Sequence, residues 1–132
     1  MPINDDALYV YRARVLRVVD GDTVDAELDL GFSVKITHRL RLYGIDAPET
    51  RGADKERGKE SRDHLLKLIY LNCLNQQGGR VLDSPVILVK TYKDKSGKYG
   101  RILATLMGLK DDEPVDLNQK MVEDSFASLR EK

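Results

Sequence analysis

From Val24 to Leu30 every second residue is apolar. Val24, Ala26, Leu28 and Leu30 alternate with Asp25, Glu27 and Asp29. This period suits a strand with one buried face and does not suit a helix. The Asp20-Gly21 pair just before it is hairpin-turn chemistry. Upstream, Tyr9, Tyr11, Ala13 and Val15 alternate with Val10, Arg12 and Arg14, and the phase then slips by one at Leu16, Arg17 and Val18, which predicts a bulge. A third strand follows Gly31, with Val34, Ile36, His38, Leu40 and Leu42 on one face and Lys35, Thr37, Arg39, Arg41 and Tyr43 on the other.

The second half mixes periods. Residues 51–62 form a charged, glycine-broken stretch that reads as a loop, and 63–76 read as a helix carrying Leu65, Leu68, Ile69 and Cys73 on its apolar stripe. Gln77-Gly78-Gly79 is its predicted stop. Strands are predicted over 86–92 and 101–109, with a turn at Asp94-Lys95-Ser96-Gly97 between them. Asp116 is placed to cap a last helix, with Gln119 at the capping-box position and Leu117, Met121, Val122, Phe126 and Leu129 along it. The expected class is α+β, mainly β. Five strands, a helix between the third and fourth, and a C-terminal helix match the Greek-key barrel called the OB-fold.

The chain's 132 residues suit one domain over 1–132, and its 41% hydrophobic content is enough for a core. A single cysteine, Cys73, excludes an intrachain disulfide framework and a multi-cysteine metal site. Two histidines cannot make a three-histidine zinc site. His38, on the apolar phase of its strand, reads as a satisfied, partly buried residue. No apolar run reaches bilayer length, and the start, Met-Pro-Ile-Asn-Asp-Asp, lacks a signal pattern. No membrane is therefore expected, and the location reads as cytoplasmic or that of a processed chain. The net charge is zero, which argues against binding nucleic acid through bulk charge. The charge is uneven, however: residues 35–67 and 90–103 are basic and 111–132 acidic, so a local anion site remains open.

Two acidic turns carry the chemistry. Asp20-Gly21-Asp22-Thr23 and Asp46-Ala47-Pro48-Glu49 each hold two carboxylates. Either alone is an ordinary solvated turn. In a barrel, the end of the third strand can lie near the first hairpin turn, so four carboxylates could converge, as a hard divalent cation requires. Arg41, on the polar face of the third strand, and Arg101, which opens the fifth, would add guanidinium forks. A metal and two arginines suit phosphodiester hydrolysis, because they offset charge on the pentacoordinate phosphorus.

The segments Val-Val-Asp-Gly-Asp-Thr-Val (18–24), Arg-Leu-Tyr-Gly-Ile-Asp-Ala-Pro-Glu-Thr (41–50) and Lys-Tyr-Gly-Arg (98–101) resemble the three signature segments of the staphylococcal nuclease family, in the family's order. The resemblance implies a calcium-dependent nuclease on an OB-fold, acting on DNA or RNA, and a monomer is expected. It makes Asp22 and Asp46 calcium ligands, with the backbone carbonyl of Ala47 as a third. The best-known member has Thr where Ala47 stands. Glu49 matches the general base, Arg41 and Arg101 match the catalytic arginines, Asp20 a supporting carboxylate behind the metal, and Lys98 and Tyr99 residues near the nucleotide's terminal phosphate. The family's later tyrosines would begin at Glu131, so part of the nucleotide pocket is expected to be absent or supplied from elsewhere. The alternative is an OB-fold module that grips single strands without cutting them.

Overall fold

A computed structural model describes residues 9–77, 80–81, 84–92 and 102–130. The first hairpin forms where the alternation places it, with β1 (Val10–Asp20) antiparallel to β2 (Thr23–Asp29) and Asp20 opposite Thr23. The register shifts between Val15 and Arg17, which is the expected bulge, and Leu16 is left exposed. β3 (Lys35–Leu42) pairs with β2 along its whole length, and Thr23 faces Arg41. After a turn at Gly44, which adopts φ 81° as only glycine does easily, comes the short β4 (Ile45–Asp46).

α1 (Lys55–Asn72) begins well before Asp63, directly after a 3-10 turn at Gly52–Asp54, so the charged stretch expected as a loop is mostly helix. Its Lys, Glu and Arg residues are good helix formers when exposed. Gly58 does not break the helix. It brings the helix against the loop before it, since a Cβ at Gly58 would overlap the Glu49 carbonyl oxygen. The helix ends at Asn72, short of the expected Gln76, and Cys73 is extended and buried. The predicted Gly78-Gly79 stop lies outside the described residues, between the short strands β5 (Gln76–Gln77) and β6 (Arg80–Val81).

β7 (Val86–Thr91) pairs with β1 and with β8 (Ile102–Lys110), and β8 runs parallel to β3 from Leu40↔Ile102 to Leu42↔Ala104. That contact closes a five-stranded barrel of β1, β2, β3, β7 and β8, the OB-fold architecture. β9 (Glu113–Asp116) extends the sheet beyond β8. Ala13, Val15, Val24, Ala26, Leu28, Leu40, Leu42, Ile87, Val89 and Leu106 fill the interior, and Leu65, Leu68 and Ile69 of α1 join this core. Only the end of β3 contributes. Val34 and Ile36 share the phase of Leu40 and Leu42 yet stay exposed, because β8 meets β3 only from Leu40 onward. His38 is partly buried, its Nδ1 2.9 Å from the Arg39 carbonyl oxygen.

α2 (Leu117–Glu123) starts as expected, the Asp116 carboxylate accepting from Gln119 N–H at 3.0 Å. It stops six residues before the expected end at Leu129. Ser125 takes φ 66°, a left-handed conformation typical of a helix end, and the Phe126 and Ala127 amides both donate back to the Met121 carbonyl. The spacing of Val122 and Phe126 imitates a continuing helix, but the released chain becomes β10 (Ser128–Leu129) and pairs with β4. Phe126 stacks on His64 of α1 at 4.1 Å between centroids, and His64 Nε2 lies 2.8 Å from Asp124 Oδ2. No described helix is long and apolar enough to cross a membrane.

Candidate active site

The register of the first three strands builds the site. With Thr23 opposite Arg41, Asp22 falls beside the end of β3, and Leu42 N–H donates to the Asp22 carbonyl at 2.7 Å. Arg41 occupies the polar phase of β3, as does Arg39. Arg39 lies in the open, paired with Asp25 through two hydrogen bonds of 2.8 and 3.1 Å. That pairing holds the Asp25 carboxyl below its ordinary value. Arg41 is only 8% exposed, because the Gly44 turn folds back over it. Its Nη1 donates to the carbonyls of Leu42 (3.0 Å) and Ile45 (2.9 Å), and its Nη2 donates to Asp46 Oδ1. Nη1 also stands 3.4 Å from Asp22 Oδ2. A surface arginine lying along a sheet would have none of this.

Asp22 is equally withdrawn, at 7% exposure. Its Oδ2 accepts from Ala47 N–H at 2.8 Å and its Oδ1 from the Thr23 hydroxyl at 2.9 Å. The two acidic turns are therefore joined, Asp22 of the first to Ala47 of the second, and both carboxylates meet one guanidinium. The Asp46 side chain is about half exposed and borders a cleft of about 580 Å³ lined also by Pro48, Arg57, Glu60 and Ser128.

The expected convergence of four carboxylates does not occur. Asp20 turns to the other side of the loop, where its Oδ1 accepts from Thr50 N–H at 3.1 Å. Glu49 is exposed. No group of three or more His, Cys, Asp or Glu among the described residues is arranged to hold a metal. What remains for a cation is Asp22, Asp46 and the Ala47 carbonyl, an all-oxygen set that suits a hard ion with water in its other positions. Arg41 already holds both carboxylates, so an ion and this guanidinium would share the same oxygens. Lys98, Tyr99, Arg101 and the predicted 94–97 turn lie outside the described residues.

One residue at the site escaped the sequence reading. Arg130 follows β10, donates its amide to the Gly44 carbonyl at 2.8 Å, and brings Nη1 within 3.5 Å of Asp46 Oδ1. No sequence signal marked it, since the hydrophobic spacing extended α2 through this segment. Ser61 was also missed. It is buried on α1, donates its hydroxyl to the Phe126 carbonyl at 2.7 Å, and would clash with any Cβ at Gly21. It thus packs the Asp20–Thr23 turn against α1 and the segment after α2.

A closed OB-type barrel is an architecture that serves oligonucleotide- and oligosaccharide-binding domains, and here it carries an acidic hairpin turn and a buried arginine at one end. The chain belongs to the staphylococcal nuclease family. The model described as staphylococcal nuclease homologue matches residues 39–132. Across 121 residues the chain is 30% identical to Protein ParB of Escherichia coli, covering 88% of this chain and 55% of that protein. The chain thus spans about half the length of the curated relative it matches. The family's domains are generally nucleases and phosphodiesterases.

Proposed function

We propose that this chain is a calcium-dependent nuclease that hydrolyses phosphodiester bonds of DNA or RNA. The observation that carries the reading is the buried Arg41 guanidinium shared by Asp22 and Asp46. A guanidinium held in place by two backbone carbonyls keeps its fork in one orientation, which is what recognition of phosphate oxygens needs. Calcium, when bound by Asp22, Asp46 and the Ala47 carbonyl, supplies positive charge beside the scissile phosphate.

The chain's own residues do the rest. The scissile phosphate offers Arg41 two oxygens in exchange for the carboxylates it now holds. As water adds, negative charge grows on the equatorial oxygens, so the fork binds the transition state more tightly than the ground state. Glu49, exposed on the loop beside Asp22, takes the proton from the attacking water. Arg101 is assigned to the leaving oxygen, and Lys98 and Tyr99 to the terminal phosphate, by the signature they share with the family. Arg130 adds a second guanidinium at the Asp46 side.

The competing reading is a module that binds strands without cutting them. It predicts losses among Asp22, Arg41, Asp46, Glu49 and Arg101, and this chain has all five. Incubating single-stranded DNA and RNA with the protein in calcium or in EDTA tests the choice. Cleavage in calcium that EDTA abolishes supports the nuclease. Binding without cleavage in either condition returns the second reading.

A further inference from the structure

On the other side of the Asp20–Thr23 turn, four arginines border one groove of about 580 Å³: Arg17 from β1, Arg39 from β3, Arg51 from the loop before α1, and Arg62 from α1. Asp20 and Asp63 are the acidic residues in the same wall. Four guanidinium groups from four separate elements gather here in a chain whose net charge is zero. Arg17, Arg39 and Arg51 are exposed. Arg39 spends two donors on Asp25, and Arg62 Nε donates to Asp63 at 3.1 Å, so these two are held in position by carboxylates.

The groove adjoins the candidate active site through backbone. Thr50 lines it, bonded through its amide to Asp20, and Thr50 directly follows Glu49. Its remaining wall, Val18, Val19 and Leu66, is aliphatic. Among the described residues that line it there is no aromatic ring and no Asn or Gln, so these residues offer bases neither a stacking surface nor amide readout. The chemistry offered is guanidinium for phosphate, with an aliphatic floor.

We infer that this groove is a second nucleic-acid contact, a track that holds the backbone phosphates of a strand beyond the scissile one and leads it past Glu49, without regard to base sequence. The inference rests on the nuclease reading for its direction, but the groove's binding can be measured without catalysis. In EDTA, a labelled long single strand is titrated by fluorescence anisotropy against the wild type and against a variant combining Arg17→Gln, Arg51→Gln and Arg62→Gln. Strand affinity is expected to fall on the order of tenfold, equally for oligo-dT and oligo-dA. The slope of log K against log salt should shrink by about 2, the release expected from three lost phosphate contacts on a single strand. In calcium, kcat on a dinucleotide should match the wild type, while KM on the long strand rises.

Wild-type affinity and salt slope in the folded triple variant would overturn the track. So would an affinity loss confined to one base sequence. A dinucleotide kcat that falls with long-strand affinity would instead place these arginines in the cleavage step. Failure of the nuclease reading shows separately, as absent cleavage by the wild type with the groove's binding intact.

Discussion

Nη1 of Arg41 stands 3.4 Å from Oδ2 of Asp22, with the two side chains 9% and 10% exposed. Asp46 takes the other arm of the same guanidinium. Without Arg41, two carboxylates would be left facing each other with little solvent around Asp22. Arg41→Met keeps the aliphatic stem and removes the charge. We expect it to destabilise the metal-free protein by about 3 kcal/mol, the low end for breaking a buried pair because Asp46 is half exposed. Calcium should then raise the melting temperature of the variant more than that of the wild type, since the ion takes over the neutralising role. Equal calcium-induced shifts would show that the ion and Arg41 do not share these carboxylates.

Gly58 sets the distance between α1 and the loop that carries Glu49. Alanine at a helix interior normally gains up to about 1 kcal/mol over glycine. Here its Cβ would overlap the Glu49 carbonyl, and overpacking of this kind costs about 1–3 kcal/mol. The net effect of Gly58→Ala should therefore be destabilising, and kcat should fall because Glu49 is displaced. A melting temperature at or above wild type would mean that the loop yields freely.

Much of this could be read from the residues alone. The period-two alternation gave β2, the slipped phase gave the bulge in β1, and Asp116 with Gln119 gave the start of α2. The expected nearness of the third strand's end to the first hairpin turn holds, but of the four carboxylates expected to converge only Asp22 and Asp46 meet, at Arg41. The failures have physical causes. Charged residues with a glycine look like a loop unless the backbone packed against that glycine is known, so the first turns of α1 were missed. The apolar spacing through Phe126 and Leu129 is compatible with a helix, and only the left-handed Ser125 ends it. Burial of Arg41 follows from the fold-back at Gly44, a tertiary event that strand phase does not contain. Arg130 depends on both, as it reaches Asp46 only because α2 stops early.

Asn118 joins three chain segments around the barrel's closure. Its Oδ1 accepts from Leu106 N–H at 3.0 Å, and its Nδ2 donates to the carbonyls of Tyr43 (3.1 Å) and Ala104 (3.0 Å). Asn118→Ala leaves buried backbone groups without this partner, each at about 1–3 kcal/mol. A loss of at least about 2 kcal/mol in urea unfolding is expected. Asn118→Asp should fail to rescue it, because a carboxylate cannot donate to two carbonyls. Wild-type stability in the alanine variant would show that water replaces the amide without cost.

The Asp124 carboxyl is held below its ordinary value, first by the hydrogen bond from His64, then by Lys120, with burial opposing. A depressed carboxyl contributes stability above its unfolded pKa of about 3.9 and loses it as the pH falls through the lower folded value. Asp124→Asn should therefore melt below the wild type at pH 5–6, roughly as a partly exposed ion pair of at most about 1 kcal/mol would dictate. The gap should narrow as the pH falls from about 4 through the lower folded value. A gap that persists in acid would assign the effect to packing instead of charge.

If Arg41 stabilises the transition state, as proposed, it does more than hold the strand. Steady-state cleavage of single-stranded DNA in calcium tests it most directly, comparing wild type, Arg41→Ala, Arg41→Lys and the control Arg12→Ala at the far end of β1, with folding checked by circular dichroism. The kcat should fall on the order of 10²–10³ for both Arg41 variants, lysine included because it lacks the planar fork, while Arg12→Ala should cleave as the wild type does. Folded Arg41 variants that keep the wild-type kcat and change only KM would contradict it.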